Sequence, residues 1–204
     1  MRGWNHASEV LYRQLVVEEA DEAAQVIAEV ASNSDAVTLR LAPANLCQAS
    51  HLRPRDAEGP LLLPVPDQSP MASHTMASVT SDLAFVLAVP GLIGLDMMDV
   101  RTVLLQPGRA SLAIGEVTGE GRGAEAAHRA IAALPDAPWR RPDAVDGVFA
   151  ILTTSSSLKM PELAASIDVI KGYFENDTEI IFGNVFDETV GDIMRVTLVT
   201  VGRI

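Results

Sequence analysis

Cysteine is almost absent: Cys47 is the only one in 204 residues, so no intramolecular disulfide can form, which fits a reducing compartment. Positive charge is scarce too. Lysine and arginine number 15 against 27 acidic residues, for a formal net charge of −12 and a pI near 4.6. Such a balance argues against an electrostatic grip on nucleic acid or an anionic membrane, because both need a basic face, and the one adjacent basic pair is Arg140-Arg141. Long hydrophobic runs are missing as well. The longest, residues 83–95, spans 13 positions and is broken by Pro90, Gly91 and Gly94, whereas a membrane helix needs about 20 apolar residues; no membrane insertion is expected. The opening MRGWNHASEV has no continuous apolar core after its arginine, so no secretory signal is read and a cytoplasmic location is expected. Metal-ligand patterns are lacking in turn. Cys47, His51 and His74 match no zinc spacing and are one ligand short, while Glu18, Glu19, Asp21 and Glu22 read as a solvated face.

What is present is a globular pattern: 48% of residues are hydrophobic, enough to bury a core in one or two domains. Val16, Ala20, Ala23, Ala24, Ile27 and Ala31 recur at three- and four-residue steps and predict a helix across residues 8–33, followed by an alternating strand at 36–41. Residues 1–42 thus read as a helix–strand segment. Residues 43–74 read as a proline-rich linker or irregular segment, with 61–65 as a short strand that its prolines confine to an edge. From residue 75 a further domain is expected to run to 204. It opens with a helix stopped by Pro90. Strands follow at 109–118, 146–154, 178–186 and 193–201, with helices at 123–134 and 161–174, the latter burying Leu163, Ile167, Ile170 and Phe174. DETVGD (187–192) is expected to join the last two strands as a hairpin. The pattern is that of an α/β fold, a two-layer sandwich in which helices pack on a four-stranded sheet around one core. A faint internal echo aligns Leu15 with Leu158, Glu19 with Glu162 and Asn33 with Asn176, suggesting a partial second copy of one helix-then-strand unit.

Two stretches bear on chemistry. Gly119-Glu120-Gly121-Arg122-Gly123 lies between a strand and a helix, where backbone N–H groups can receive a phosphate. Its GxGxG spacing and the charge of Glu120 favour a plain tight turn over a nucleotide cradle. The second stretch is PGLIGLDMMDVRTV (90–103), a Pro-Gly break and an apolar run leading to Asp96 and Asp99 near a helix start. Carboxylates at i and i+3 there share one side of the first turn and complement the helix dipole. By spacing alone they are caps.

The flanking residues say more. PGLIGLD followed by DVRTV closely resembles the loop and helix at the lower face of the bacterial cell-division GTPase FtsZ, a tubulin relative. GEVTGEGRGAEAAHRAI (115–131) resembles that family's strand-to-helix passage, and NDTEIIFGNVFDETVGDIMRVTLVTVG (176–202) its closing strands. The resemblance runs from about residue 83 to 202 and implies that residues 75–204 form an FtsZ C-terminal-like two-layer sandwich. It implies that the loop enters the nucleotide pocket of the next filament subunit, where Asp96 and Asp99 would position the water that attacks the γ-phosphate. A family asparagine is replaced by Gly94. Nothing before residue 90 resembles the phosphate loop GGGTGTG, so the GTP-binding domain is read as missing and no independent GTPase is expected. GTP would be met only at an interface with a partner subunit. The expected role is an assembly or filament-interaction module, partnered by FtsZ or by itself through loop 91–99. The rivals are a divergent GTPase and a small-ligand-binding relic of the fold.

Overall fold

The computed structural model describes residues 11–20, 23–32, 35–43, 61–65, 82, 86, 91–94, 97–104, 109–135, 141–174 and 177–202. Cys47, His51, His74, Leu95 and Asp96 lie outside them.

Four strands come first: β1 (Leu11–Ala20), β2 (Ala23–Ser32), β3 (Asp35–Pro43) and β4 (Leu61–Val65). They form one sheet in that order, antiparallel except for the parallel pair β3–β4. The expected strands at 36–41 and 61–65 are both there, the second at the sheet edge and carrying Pro64 opposite Ala42. The helix expected across 8–33 is not. Its span is instead two paired strands, with Ala20 opposite Ala23 and Leu11 opposite Ala31. The physical reason lies in the residues between the alanines: Val16-Val17, Val26-Ile27 and Val30 are β-branched, a residue type that favours strands, and a short apolar run cannot by its spacing alone separate helix from strand. The internal echo fails with the helix, because its partner segment near residue 158 is helical.

The second sheet is built from β5 (Arg109–Thr118), β6 (Val145–Thr154), β7 (Glu179–Phe186) and β8 (Ile193–Gly202). Helix α1 (Met97–Leu104) precedes it, α2 (Arg122–Ala132) links β5 towards β6, and α3 (Met160–Tyr173) links β6 to β7. All six elements from β5 onward fall within a few residues of the positions expected from the sequence. The strand order is β5-β8-β6-β7, with β6 and β7 parallel and β8 antiparallel to both its neighbours. β7 and β8 are therefore not a hairpin. Residues 187–192 hold a single 3₁₀ turn, Glu188–Val190, and carry the chain past β6 so that β8 enters between β5 and β6. The burial of β8 accords with this placement: IMRVTLVTVG is buried from its second residue to its last, and a strand buried on both faces belongs in the middle of a sheet.

On one face of this sheet α2 and α3 pack against Val148, Ala150 and Leu152 of β6 and Met194, Val196 and Leu198 of β8. Alanine and glycine make the approach close. A β-carbon at Gly115 would sit 2.1 Å from the carbonyl oxygen of Ala126, and one at Gly123 would sit 2.2 Å from that of Glu162. In α3, Leu163, Ile170 and Phe174 are buried as expected, but Ile167 is only partly buried against the core. Ser166 takes the innermost position instead. Its hydroxyl donates to the Gly123 carbonyl at 2.8 Å, because the two helices lie too close at that level for a branched side chain. On the opposite face Leu112, Phe149, Ile151 and Val199 are fully buried. That face is met by α1, through β6 and β7, and by the helical residue Asp82.

Candidate functional site

The stretch 91–99 leads from the proline break into α1. Leu92 is 55% exposed and Met98 63%; Gly94 is exposed, while Gly91, Ile93 and Asp99 are half-buried. Val103, in the last turn of α1, is fully buried and seats the helix. Asp99 occupies the first turn of α1, where its charge complements the helix dipole. Asp96 is not among the described residues, so Asp99 alone of the expected carboxylate pair is placed. The sequence did not point to what holds the loop. The amide nitrogen of Leu92 donates to Oδ1 of Asn184 at 3.2 Å, and Nδ2 of Asn184 donates to the Leu152 carbonyl at 3.0 Å. A buried asparagine inside the apolar strand EIIFGNVF was the available signal.

Asp82 and Arg195 form a second anchor. Arg195 Nε donates to Glu116 at 2.6 Å, while Nη1 reaches the two Asp82 oxygens at the longer distances of 3.2 and 3.4 Å. Thr197 also donates to Asp82, at 3.2 Å. Burial pushes the Asp82 carboxyl above its ordinary value despite these partners. Burial works against the Arg195 charge, but Asp82 and Glu116 outweigh it and hold the guanidinium above its usual value.

The glycine-rich turn after β5 is a tight turn, with Gly119 at φ 84° and Gly121 at φ 74°, both in the left-handed region that favours glycine. It does not fit a phosphate. The Gly119 N–H is given to Asp192 Oδ2 at 3.2 Å, so a carboxylate stands where an anion would have to bind. Arg122 is spent as well. Its Nε and Nη2 grip Glu162 at 3.1 and 3.0 Å, its Nη1 reaches the carbonyl and Oδ1 of Asp192 at 2.8 and 2.9 Å, and Nη2 also reaches the carbonyl and hydroxyl of Ser157 at 3.1 Å. Every donor of the guanidinium is in use. Among the described residues no group of histidine, cysteine and acidic side chains is arranged to hold a metal ion.

Residues 108–203 match the model of the FtsZ family, C-terminal domain. The segment is an FtsZ-like C-terminal domain. The chain is 32% identical over 138 residues to the cell division protein FtsZ of Magnetospirillum gryphiswaldense, covering 67% of this chain and 24% of that protein. With FtsZ of Caulobacter vibrioides it is 33% identical over 135 residues, 65% of this chain and 26% of the relative. It thus spans about a quarter of the length of these relatives. An FtsZ mutant from M. jannaschii shares the fold at a TM-score of 0.61 and 23% identity, covering 70% of this chain and 47% of that one. The FtsZ-like α/β sandwich expected from the sequence is therefore present. No helix among the described residues is long and apolar enough to cross a membrane.

The Arg122 cluster carries a pH dependence. Burial alone would raise the Glu162 carboxyl, but the bonds from Arg122 and from the Lys159 N–H outweigh it and hold the group below its ordinary value. The folded state therefore binds this proton less readily than the unfolded chain, so its contribution is complete above the ordinary glutamate range and is lost as pH falls through the lowered value. Urea denaturation of the native chain should show stability falling as pH drops below about 4.5. Glu162→Gln should be less stable at neutral pH and should lose less over that interval. An acid limb of unchanged steepness in the variant would contradict the assignment.

Proposed function

We propose that this chain is an assembly module of the FtsZ type, docking through the loop at 91–99 onto a subunit of an FtsZ filament or onto a second copy of itself. The observation that carries this reading is the exposure of Leu92, 55%, on a loop whose backbone is tied to the sheet by Asn184. An apolar side chain presented on a fixed backbone is a poor solvent face and a good interface element, with neighbouring carboxylates left on the rim. The FtsZ names of the relatives supply the kind of partner.

Asp96 and Asp99 are the carboxylates such a module would offer in trans, where they would orient a water toward a γ-phosphate held by the partner. Gly94 stands where the family carries an asparagine. Without that side-chain amide, and with a looser backbone, water positioning should suffer. The expected outcome is therefore capping of filament ends rather than catalysis. GTP turnover by full-length FtsZ from the same organism should slow as the native chain is added, and Asp96→Ala and Asp99→Ala should slow it equally. Turnover raised by the native chain but by neither variant would instead establish a catalytic contribution from the two aspartates. No effect from any of the three would remove the docking reading for that partner.

A further inference from the structure

We propose that Asn184 is a positioning residue for the 91–94 loop, setting its presentation from strand β7 rather than from the carboxylates that follow it. The side chain is fully buried, and its amide has one workable orientation. Oδ1 accepts from the Leu92 N–H at 3.2 Å while Nδ2 donates to the Leu152 carbonyl at 3.0 Å. Turned over, the NH₂ would meet an N–H and the oxygen would meet a carbonyl, two repulsive contacts at once. Leu152 and Asn184 face each other in the β6–β7 register, so the carbonyl bond keeps the amide aligned with the sheet while its oxygen reaches out to the loop.

Gly91 provides an independent observation at the same contact. A β-carbon there would lie 2.2 Å from the backbone oxygen of Asn184 and 3.3 Å from Oδ1. The loop therefore rests backbone against backbone on β7, and only glycine permits it. One residue makes the approach and the next makes the bond. Leu92 is then displayed by a backbone held against β7 at two successive residues, which cuts the ordering cost of any association through it. This consequence for docking rests on the assembly reading above; the positioning itself does not.

The full chain serves for the test, with three variants. Amide hydrogen exchange at Leu92 should accelerate about tenfold or more in Asn184→Leu, which keeps the branched heavy-atom shape, though bulkier, and removes both bonds. Gly91→Ala should do the same by lifting the loop, with the buried amide left in place, and it carries the test should Asn184→Leu not fold. Asn184→Asp, when protonated, keeps an oxygen facing Leu92 and supplies an O–H to the Leu152 carbonyl, and should retain protection at pH values where the acid is neutral. Amides of β8 serve as the control and should stay as protected as in the native chain. Unchanged exchange at Leu92 in folded Asn184→Leu and Gly91→Ala would overturn the proposal.

Co-sedimentation with full-length FtsZ assembled with GTP separates the two layers. Binding that weakens in the Leu92-deprotected variants and is retained in Asn184→Asp where its acid is neutral supports positioning for docking. Altered exchange with no binding even by the native chain supports Asn184 as the loop's support and rejects the docking reading alone.

Discussion

Replacing Arg122 with alanine should destabilise the domain by about 3–5 kcal/mol, the range for removing one partner of a buried ion pair. Arg122 is 2% exposed, and its guanidinium joins three parts of the chain: the start of α2, the start of α3 through Ser157 and Glu162, and the approach to β8 through Asp192. Its removal leaves the carboxylate of Glu162, which is 15% exposed, without its main counter-charge, and it frees the Ser157 and Asp192 carbonyls of a donor. Arg122→Lys should recover only part of the loss, since a point charge cannot reproduce the bidentate grip on Glu162. Equilibrium urea denaturation measures both. A loss below about 1 kcal/mol for alanine would place the cluster with ordinary surface pairs.

Gly115→Ala should cost about 3 kcal/mol, at the upper end of overpacking effects. The added carbon would sit 2.1 Å from the Ala126 oxygen and 2.4 Å from the Ala130 nitrogen. Both are backbone atoms of α2, so no rotamer change relieves the clash and the helix must move off the sheet. Ala126, Ala127 and Ala130 are fully buried on that sheet and would lose contact together. Gly94→Ala is the matched control, because nothing lies within 4 Å of a β-carbon there; its stability should stay within about 0.5 kcal/mol of native. Equal stabilities for the two variants would show that α2 does not lie where this packing puts it.

The part of the fold that could be read in the sequence is the part whose signals are local. β6 announces itself as VFAILTT, an unbroken apolar and β-branched run, and α3 by Pro161 near its start and a spaced apolar face. What could not be read depends on partners far away in the chain. The six residues DETVGD look like a local reversal, but whether they join neighbouring strands is decided by β6, which takes β7 on one side and β8 on the other. The hairpin β1–β2 was hidden by alanines that suit a helical spacing. At the site, Asp99 was legible from its place after the proline break, whereas Asn184 acts on a residue 92 positions away and Arg195 on one 113 away. Ile167 and Ser166 exchanged roles for the same reason: the space available on α3 is set by Gly123 on a different helix.

The place of β8 between β5 and β6 also has a meaning for how the chain is made. Until residues 193–202 leave the ribosome, β5 and β6 each lack the neighbour that fills the gap between them, with Arg109 waiting for Gly202 and Thr118 for Ile193. Such pairings close large loops and form slowly. From the completion of β6 until β8 emerges, the nascent chain therefore carries two open strand borders, a state in which strands from different chains can join. Cooperative folding of this sheet waits for β8, and the growing polypeptide that still lacks β8 is where chaperone binding should concentrate.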